Sequence, residues 1–434
     1  MALLRRGVGV LLVSFLLLGL AWRWPLLAKH ERGTAQPAGI SRLVLGPVRL
    51  ALQALSLLLF VLVFAAALVG DTDPFSNLAP TWVYVVFWLG VPALSVVFGN
   101  VWRALSPWRA LADLVVWLRE LGGREARPLA VYPERLGRYP AASALFSFVA
   151  LELAYADPSS PRSLAFAIAV YTYLTLFGMA AFGRDTWERH GEGFAVLFAL
   201  FARIGPLFAE KGRIRARWPL TGLAGAERTP GSVAFVSVML GSVIFDGYSR
   251  TSTWQDFAAR VERPFIVERP GVGELLVTLL SVGGLVGAIL LVAGAYGGAC
   301  TIARWTVNAP RSLVPEFLLS LVPIAFVYLV AHYFSLFVLQ GQFAIPLLSD
   351  PFGKGWDLFG TAGVIPNLAA ISPTTTWFVQ VGALVAGHVA GLLIAHDRAV
   401  SIFPERRVAL RSQYAMLSLM VLYTVGGLWV LSRG

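Results

Sequence analysis

The stretch VPIAFVYLVAHYFSLFVLQGQ, residues 322–342, carries no Lys, Arg, Asp or Glu and one imidazole, His332. A helix crosses the hydrocarbon core of a bilayer with about 20 apolar residues, so this run is long enough to span one. Working outward, comparable runs recur near 7–27, 48–70, 80–99, 140–156, 162–182, 231–248, 273–300, 313–339, 374–396 and 408–431. The chain of 434 residues is 57% hydrophobic and 14% charged, whereas soluble chains carry about a quarter charged residues. No polar block is long enough to bury a core of its own. The expectation is an all-α polytopic transmembrane bundle of about ten spans, residues 1–434 forming a single integral membrane domain.

Charge placement orients it. The net charge of +11 does not mark a nucleic-acid binder, because most arginines fall in two interhelical segments, as the positive-inside rule predicts for cytoplasmic loops. The segment 71–79 is acidic and has no Lys or Arg, so it is placed outside; 100–139 and 183–229 are arginine-rich and are placed inside. Parity then puts the N-terminus outside. Arg5 and Arg6 before an apolar run imitate a signal peptide, but Trp22, Arg23, Trp24 and Pro25 follow in place of a small-residue cleavage site. The single cysteine, Cys300, excludes an internal disulfide framework and multi-cysteine metal sites.

Two inner segments read as amphipathic interfacial helices. In 101–121, Trp102, Leu105, Trp108, Leu111, Val115 and Leu118 recur at three- and four-residue spacing opposite arginines, a pattern suited to the headgroup plane. GFAVLFALFARIGPLF, 193–208, is the second. The Gly-rich span 273–300 offers a close packing face, with a homo-oligomer contact as the alternative. The tripeptide DPF occurs at 73–75 and at 350–352, in two outer loops.

Ionisable groups inside spans are costly and usually mark function. His332 lies late in an outward-running span, Glu152 in ALELAYADP just short of an outer turn, and Asp246 in VIFDGYSR at the end of another outward span. One imidazole and two carboxylates at similar depth are a candidate divalent-metal site that would activate water or polarise a phosphoryl oxygen. Asp350 and Asp357, in an outer loop above, are the candidate base or further ligand. His388 and His396 are eight residues apart, hence about 12 Å along the axis, too far to share one metal. The sequence His396-Asp397-Arg398 reads as a helix end suited to the negative pole of the dipole. His388, between Gly387 and Gly391, remains a candidate polar group at membrane depth. Bis-histidine haem is disfavoured, since His332 and His388 differ in depth by roughly 15 Å. No Gly-x-Ser-x-Gly elbow, HExxH, P-loop or Rossmann glycine pattern occurs.

Several stretches, among them VSFLLLGLAWRWPLL, DTDPFSNLAPTWVYVVFWLG, VFGNVWRALSPWRALA, VMLGSVIFDGYSR, DPFGKGWDLFGTAG and WFVQVGALVAGHVAGLLIAHDRAV, resemble a family of bacterial membrane proteins commonly labelled fenitrothion hydrolase. The resemblance runs through nearly the whole chain in order. Family members begin with an extra outer segment bearing a His-Gly pair, whereas this chain starts at MALLRRG. The resemblance implies hydrolysis of a phosphotriester, a neutral and lipophilic substrate, in the bacterial cytoplasmic membrane. The competing expectations are a permease for a metal ion or lipophilic solute, favoured by the interruptions Gly90-Val91-Pro92 and Val322-Pro323, and a membrane subunit docking a partner.

Overall fold

The computed structural model describes residues 38–123, 127–210, 213–265 and 269–431, with parts of the first 35 residues. Of the expected first span, near 7–27, residues 13–18 are helical, while 7, 8, 10–12, 19, 21 and 23 lie outside the described residues, as do Arg5 and Arg6. The principal helices are α1 (Ala38–Val69), α2 (Leu78–Phe98), α3 (Pro107–Leu121), α4 (Tyr139–Leu153), α5 (Pro161–Phe182) and α6 (Gly193–Ala202). They continue with α7 (Ser232–Ser249), α8 (Pro270–Thr306), α9 (Leu321–Gln340), α10 (Pro373–Ile402) and α11 (Tyr414–Leu431). Among the described residues, eight helical stretches are long and apolar enough to cross a membrane. The run expected near 140–156 is helical too, but only 15 residues long. The architecture is all-α. Among the described residues the one small sheet is antiparallel, with Arg213–Ala216 between Thr34–Ala35 and Leu207–Glu210.

Local chemistry sets the helix starts. Ser-Pro pairs open α3, α5 and α10: Ser106, Ser160 and Ser372 accept from the N–H groups of Arg109, Ser163 and Thr375. The serine oxygen satisfies an orphan donor, and proline at the first helical position lacks one to satisfy. Within α2, Trp82–Gly90 winds as a π-helix before α-helical geometry resumes at Val91. A short 3-10 turn, Leu318–Ser320, precedes α9. Both irregularities fall at or beside the proline interruptions of the sequence, where a backbone N–H is missing.

The helices pack so that α9 lies along α10, and α7 contacts α4, α8 and α9. Gly241 on α7 allows the close approach to α8, since a Cβ there would stand 2.7 Å from the Cα of Ile289. On α8 itself, Gly284 meets Phe245 and Trp254, while Gly283, Gly287, Gly294, Gly297 and Gly298 face open space.

Two interfacial expectations need correction. Helix α6 is buried on nearly every side, from Gly193 to Ala202. GFAVLFALFA has no polar face to present to headgroups, so it packs among aromatic rings instead, with Phe194 and Phe198 edge-on to Phe87. In 101–121 the chain bends at Ser106, and Trp102 and Trp108 are buried. Their indole N–H groups donate to Glu192 and Thr172. The large apolar side chains left exposed on α3 are Leu114, Val115, Trp117, Leu118 and Leu121.

The two ends of the bundle differ. The DPF loops meet at one end, where Asp71 N–H donates to Phe352 O at 2.9 Å and Leu78 N–H to Pro351 O at 3.2 Å. At the other, arginine-rich end, buried Arg109 pairs with Glu188 and Asp185, and Arg184 with Asp113 and Asp185.

Candidate functional site

Three helices deliver ionisable groups to one point. Asp246 belongs to the last turn of α7, Glu152 to the last turn of α4, and His332 with Tyr333 to the later half of α9. The Nε2 atom of His332 stands 2.5 Å from Oδ2 of Asp246, an ion pair by distance when the imidazole is protonated, without hydrogen-bond geometry. The Tyr333 hydroxyl reaches both carboxylates, 2.8 Å from Asp246 Oδ2 and 3.1 Å from Glu152 Oε1. Arg250, one turn beyond Asp246, donates from Nε to Asp246 Oδ1 at 3.0 Å. Asp246 thus accepts contacts from an imidazole, a phenol and a guanidinium while its side chain is 3% exposed. A buried carboxylate needs that degree of satisfaction, because unpaired charge out of water is destabilising.

Asp246 and His332 are brought together directly and Glu152 joins them through the Tyr333 hydroxyl, by contacts that the sequence did not disclose. Tyr333 and Arg250 are the members that sequence reasoning missed. Arg250 stands four residues after Asp246, the spacing at which helical side chains face one another; this was the available signal. Tyr333 had none, since its role depends on which helix lies beside α9.

His332 also lines an apolar cavity of about 490 Å3 walled by α7, α8, α9, α10 and α11, with Phe245, Tyr248, Leu291, Tyr328 and Tyr423 among its walls. Six residues of α8 and α11 that border it, Gly284, Gly287, Ala288, Leu291, Leu422 and Gly426, are glycines or aliphatic. The pairing of an ordered imidazole–carboxylate couple with an apolar chamber is an arrangement suited to binding a lipophilic molecule and moving a proton at its surface.

Fit to a resident metal ion can be judged from the donors. Both oxygens of Asp246 are engaged, one of them by a cationic guanidinium, and the Tyr333 hydroxyl occupies the space between the two carboxylates. Among the described residues no group of three His, Cys, Asp or Glu side chains is arranged to hold a metal.

The remaining candidates lie elsewhere. Asp350 accepts from the N–H groups of Lys354 and Gly355, and Asp357 from that of Ala362. Both carboxylates close turns in the loop after the short helix Ala344–Ser349, and neither lines the His332 cavity. His388 is fully buried; its Nδ1 lies 2.7 Å from Leu384 O, its ring stands edge-on to Tyr328, and its Nε2 has no partner among the described residues. Gly387 beside it permits close packing of Val327.

His396-Asp397-Arg398 is not a helix end, because α10 continues to Ile402. Asp397 is buried and accepts from the N–H groups of Leu26, Leu27 and Ala28 and from the Trp22 indole. His396 contacts Gln413 and the Trp22 carbonyl, and Arg398 pairs with Glu316. The motif fastens the N-terminal segment to the bundle, capping the start of Leu26–Lys29 from a distant part of the chain.

Comparison of the chain with protein-family models, with curated proteins and with solved structures finds no match in any of the three.

Proposed function

We propose that this chain is a multi-pass protein of the bacterial cytoplasmic membrane that hydrolyses a neutral, lipophilic ester of the phosphotriester class. About ten spans, an outer N-terminus and inner segments near 100–139 and 183–229 complete the reading, with the bilayer as its setting and Glu152, Asp246 and His332 toward the outer leaflet. The observation that carries it is the Asp246–His332 pair at the wall of an apolar chamber. The substrate class rests on the sequence resemblance.

In this mechanism Asp246 orients the His332 ring through Nε2 and stabilises the imidazolium that forms, leaving the other ring nitrogen to take a proton from water. The water oxygen forms the new bond to phosphorus, the bond to the leaving alkoxide or phenoxide breaks, and the proton on His332 passes to the departing oxygen. Tyr333 and Arg250 hold Asp246 in place. Glu152, tied to the same phenol, is a positioning residue. No step passes through a metal, since the donors are already engaged by one another.

The test is turnover of a chromogenic neutral phosphotriester by the purified protein in liposomes, with and without a strong chelator. The expected result is turnover that survives chelation and is lost in His332→Ala at unchanged folding. Equal turnover in the wild type and His332→Ala would contradict the reading.

A second reading, a permease for a lipophilic solute, is favoured by the π-helical and 3-10 interruptions of α2 and of the entry to α9. It predicts uptake of unmodified solute into sealed vesicles without product formation.

A further inference from the structure

A second, much larger cleft of about 1910 Å3 runs between α1, α2, α4, α5 and α9. It shares no lining residue with the His332 chamber. Its walls run from Trp102 and Trp187 near the arginine-rich end to Tyr155, Arg162 and Gln342 near the end where the DPF loops meet. Between these rims the lining is almost wholly aliphatic and aromatic, and one wall is the π-helical stretch Trp82–Gly90. Apolar cavities of this kind do not hold water. In a bilayer the available filling is hydrocarbon.

The rim near the DPF loops says what kind of molecule brings that hydrocarbon. The guanidinium of Arg162 donates to the carbonyls of Ala67 and Gly70 at 2.7 and 3.1 Å, and among the described residues no carboxylate pairs with it. A cation left without a counter-charge at the mouth of an apolar cleft complements an anion attached to acyl chains. Beside it, Gln342 exchanges two hydrogen bonds with the backbone of Asn367, at 2.9 and 3.1 Å. That exchange holds the 354–372 loop against the same rim. The loop exposes Leu358, Phe359, Ile365 and Leu368, apolar side chains suited to the interfacial layer of a membrane.

We infer that the large cleft is a binding site for one anionic glycerophospholipid, its acyl chains lying along α2 and α5 and its phosphate beside Arg162. The site is independent of the hydrolytic reading.

The experiment is native mass spectrometry of the full-length protein, equilibrated with equal amounts of phosphatidylglycerol and phosphatidylcholine in mixed micelles and then exchanged into lipid-free detergent. The wild type should retain one lipid per chain with about a fivefold preference for the anionic headgroup, the size expected from one basic side chain near a membrane surface. Arg162→Gln should lose the preference and Arg162→Lys should keep it. Ala167→Trp, which fills the cleft from α5, should lose retention of both lipids; this variant and the wild-type headgroup comparison remain decisive if Arg162→Gln does not fold. Equal retention of the two lipids by the wild type, or unchanged retention in Ala167→Trp, would mean an annular lipid only and overturn the inference.

Discussion

Two groups of charges, each with buried members, lie toward opposite ends of this bundle, and they are built differently. At the arginine-rich end, Arg109 is 3% exposed and pairs with Glu188, while Asp185 and Asp113 are shared among Arg109, Arg184, Arg103 and Arg49. Glu188, Asp185 and Asp113 each meet a guanidinium, and together these pairs tie α1, α3 and the helix Arg184–His190 to one another. At the opposite end the partners of Asp246 are an imidazole, a phenol and one arginine, and the imidazole borders a chamber. Charges in a closed network hold helices in register; a titratable ring kept beside empty apolar volume is placed to act on something else. On the proposed function, what surrounds a charge separates the two ends more sharply than how deeply it is buried.

That contrast breaks most visibly at Asp246. Asp246→Asn preserves size and removes the charge that stabilises an imidazolium, so turnover of a phosphotriester should fall by about 10²–10⁴-fold, the usual contribution of a positioned acid–base group. Steady-state kinetics in liposomes would read it, and an unchanged kcat would place the chemistry elsewhere. At the other end the expected loss is of stability. Glu188→Ala removes one of the two carboxylates that pair with buried Arg109, leaving Asp185, which should lower unfolding free energy by about 1–3 kcal/mol, seen as a drop in Tm with turnover per folded molecule retained.

Smaller effects sharpen the comparison. Asp397→Ala removes the acceptor of the Leu26, Leu27 and Ala28 N–H groups, a loss of about 0.5–2 kcal/mol by analogy with helix caps. Limited proteolysis should then cut near residues 22–29 first. The smallest concerns pH. Burial raises the carboxyl pKa of Asp185, but the Arg109 and Arg184 guanidiniums outweigh it and hold the value down to about 2. A group whose folded pKa is depressed contributes stability above its unfolded value and loses it as pH falls through the folded one. Thermal stability of the wild type should therefore decline between about pH 4 and 2, and Asp185→Asn should flatten that part of the profile. Because Asp185 is half exposed, the change should be slight.

Much of this was legible in the chain. Uncharged runs such as 322–342 marked helices because length and composition alone decide whether a segment can cross hydrocarbon. The common depth of Glu152, Asp246 and His332 followed from counting residues along spans. What escaped were properties set by lateral neighbours. Tyr333 bridges two carboxylates only because α4 and α7 both lie beside α9. GFAVLFALFA looked like a one-sided helix, yet with apolar residues all round it sits in the interior. His396 and Asp397 imitated a helix end, since an acidic residue near the end of an apolar run carries no mark of a distant backbone segment that it will cap. Asp350 and Asp357 were equally ambiguous: aspartates close turns through backbone N–H groups as readily as they bind substrates.

The most direct test of the division between the two ends is to measure Tm and phosphotriester turnover on the same preparations of the wild type, Asp246→Asn and Glu188→Ala. The account predicts opposite signatures: Asp246→Asn close to wild-type Tm with turnover lost, and Glu188→Ala with lowered Tm and turnover kept. If Asp246→Asn instead lost stability as Glu188→Ala does while its turnover stayed at the wild-type level, the Asp246–His332 pair would be structural and the account would fail.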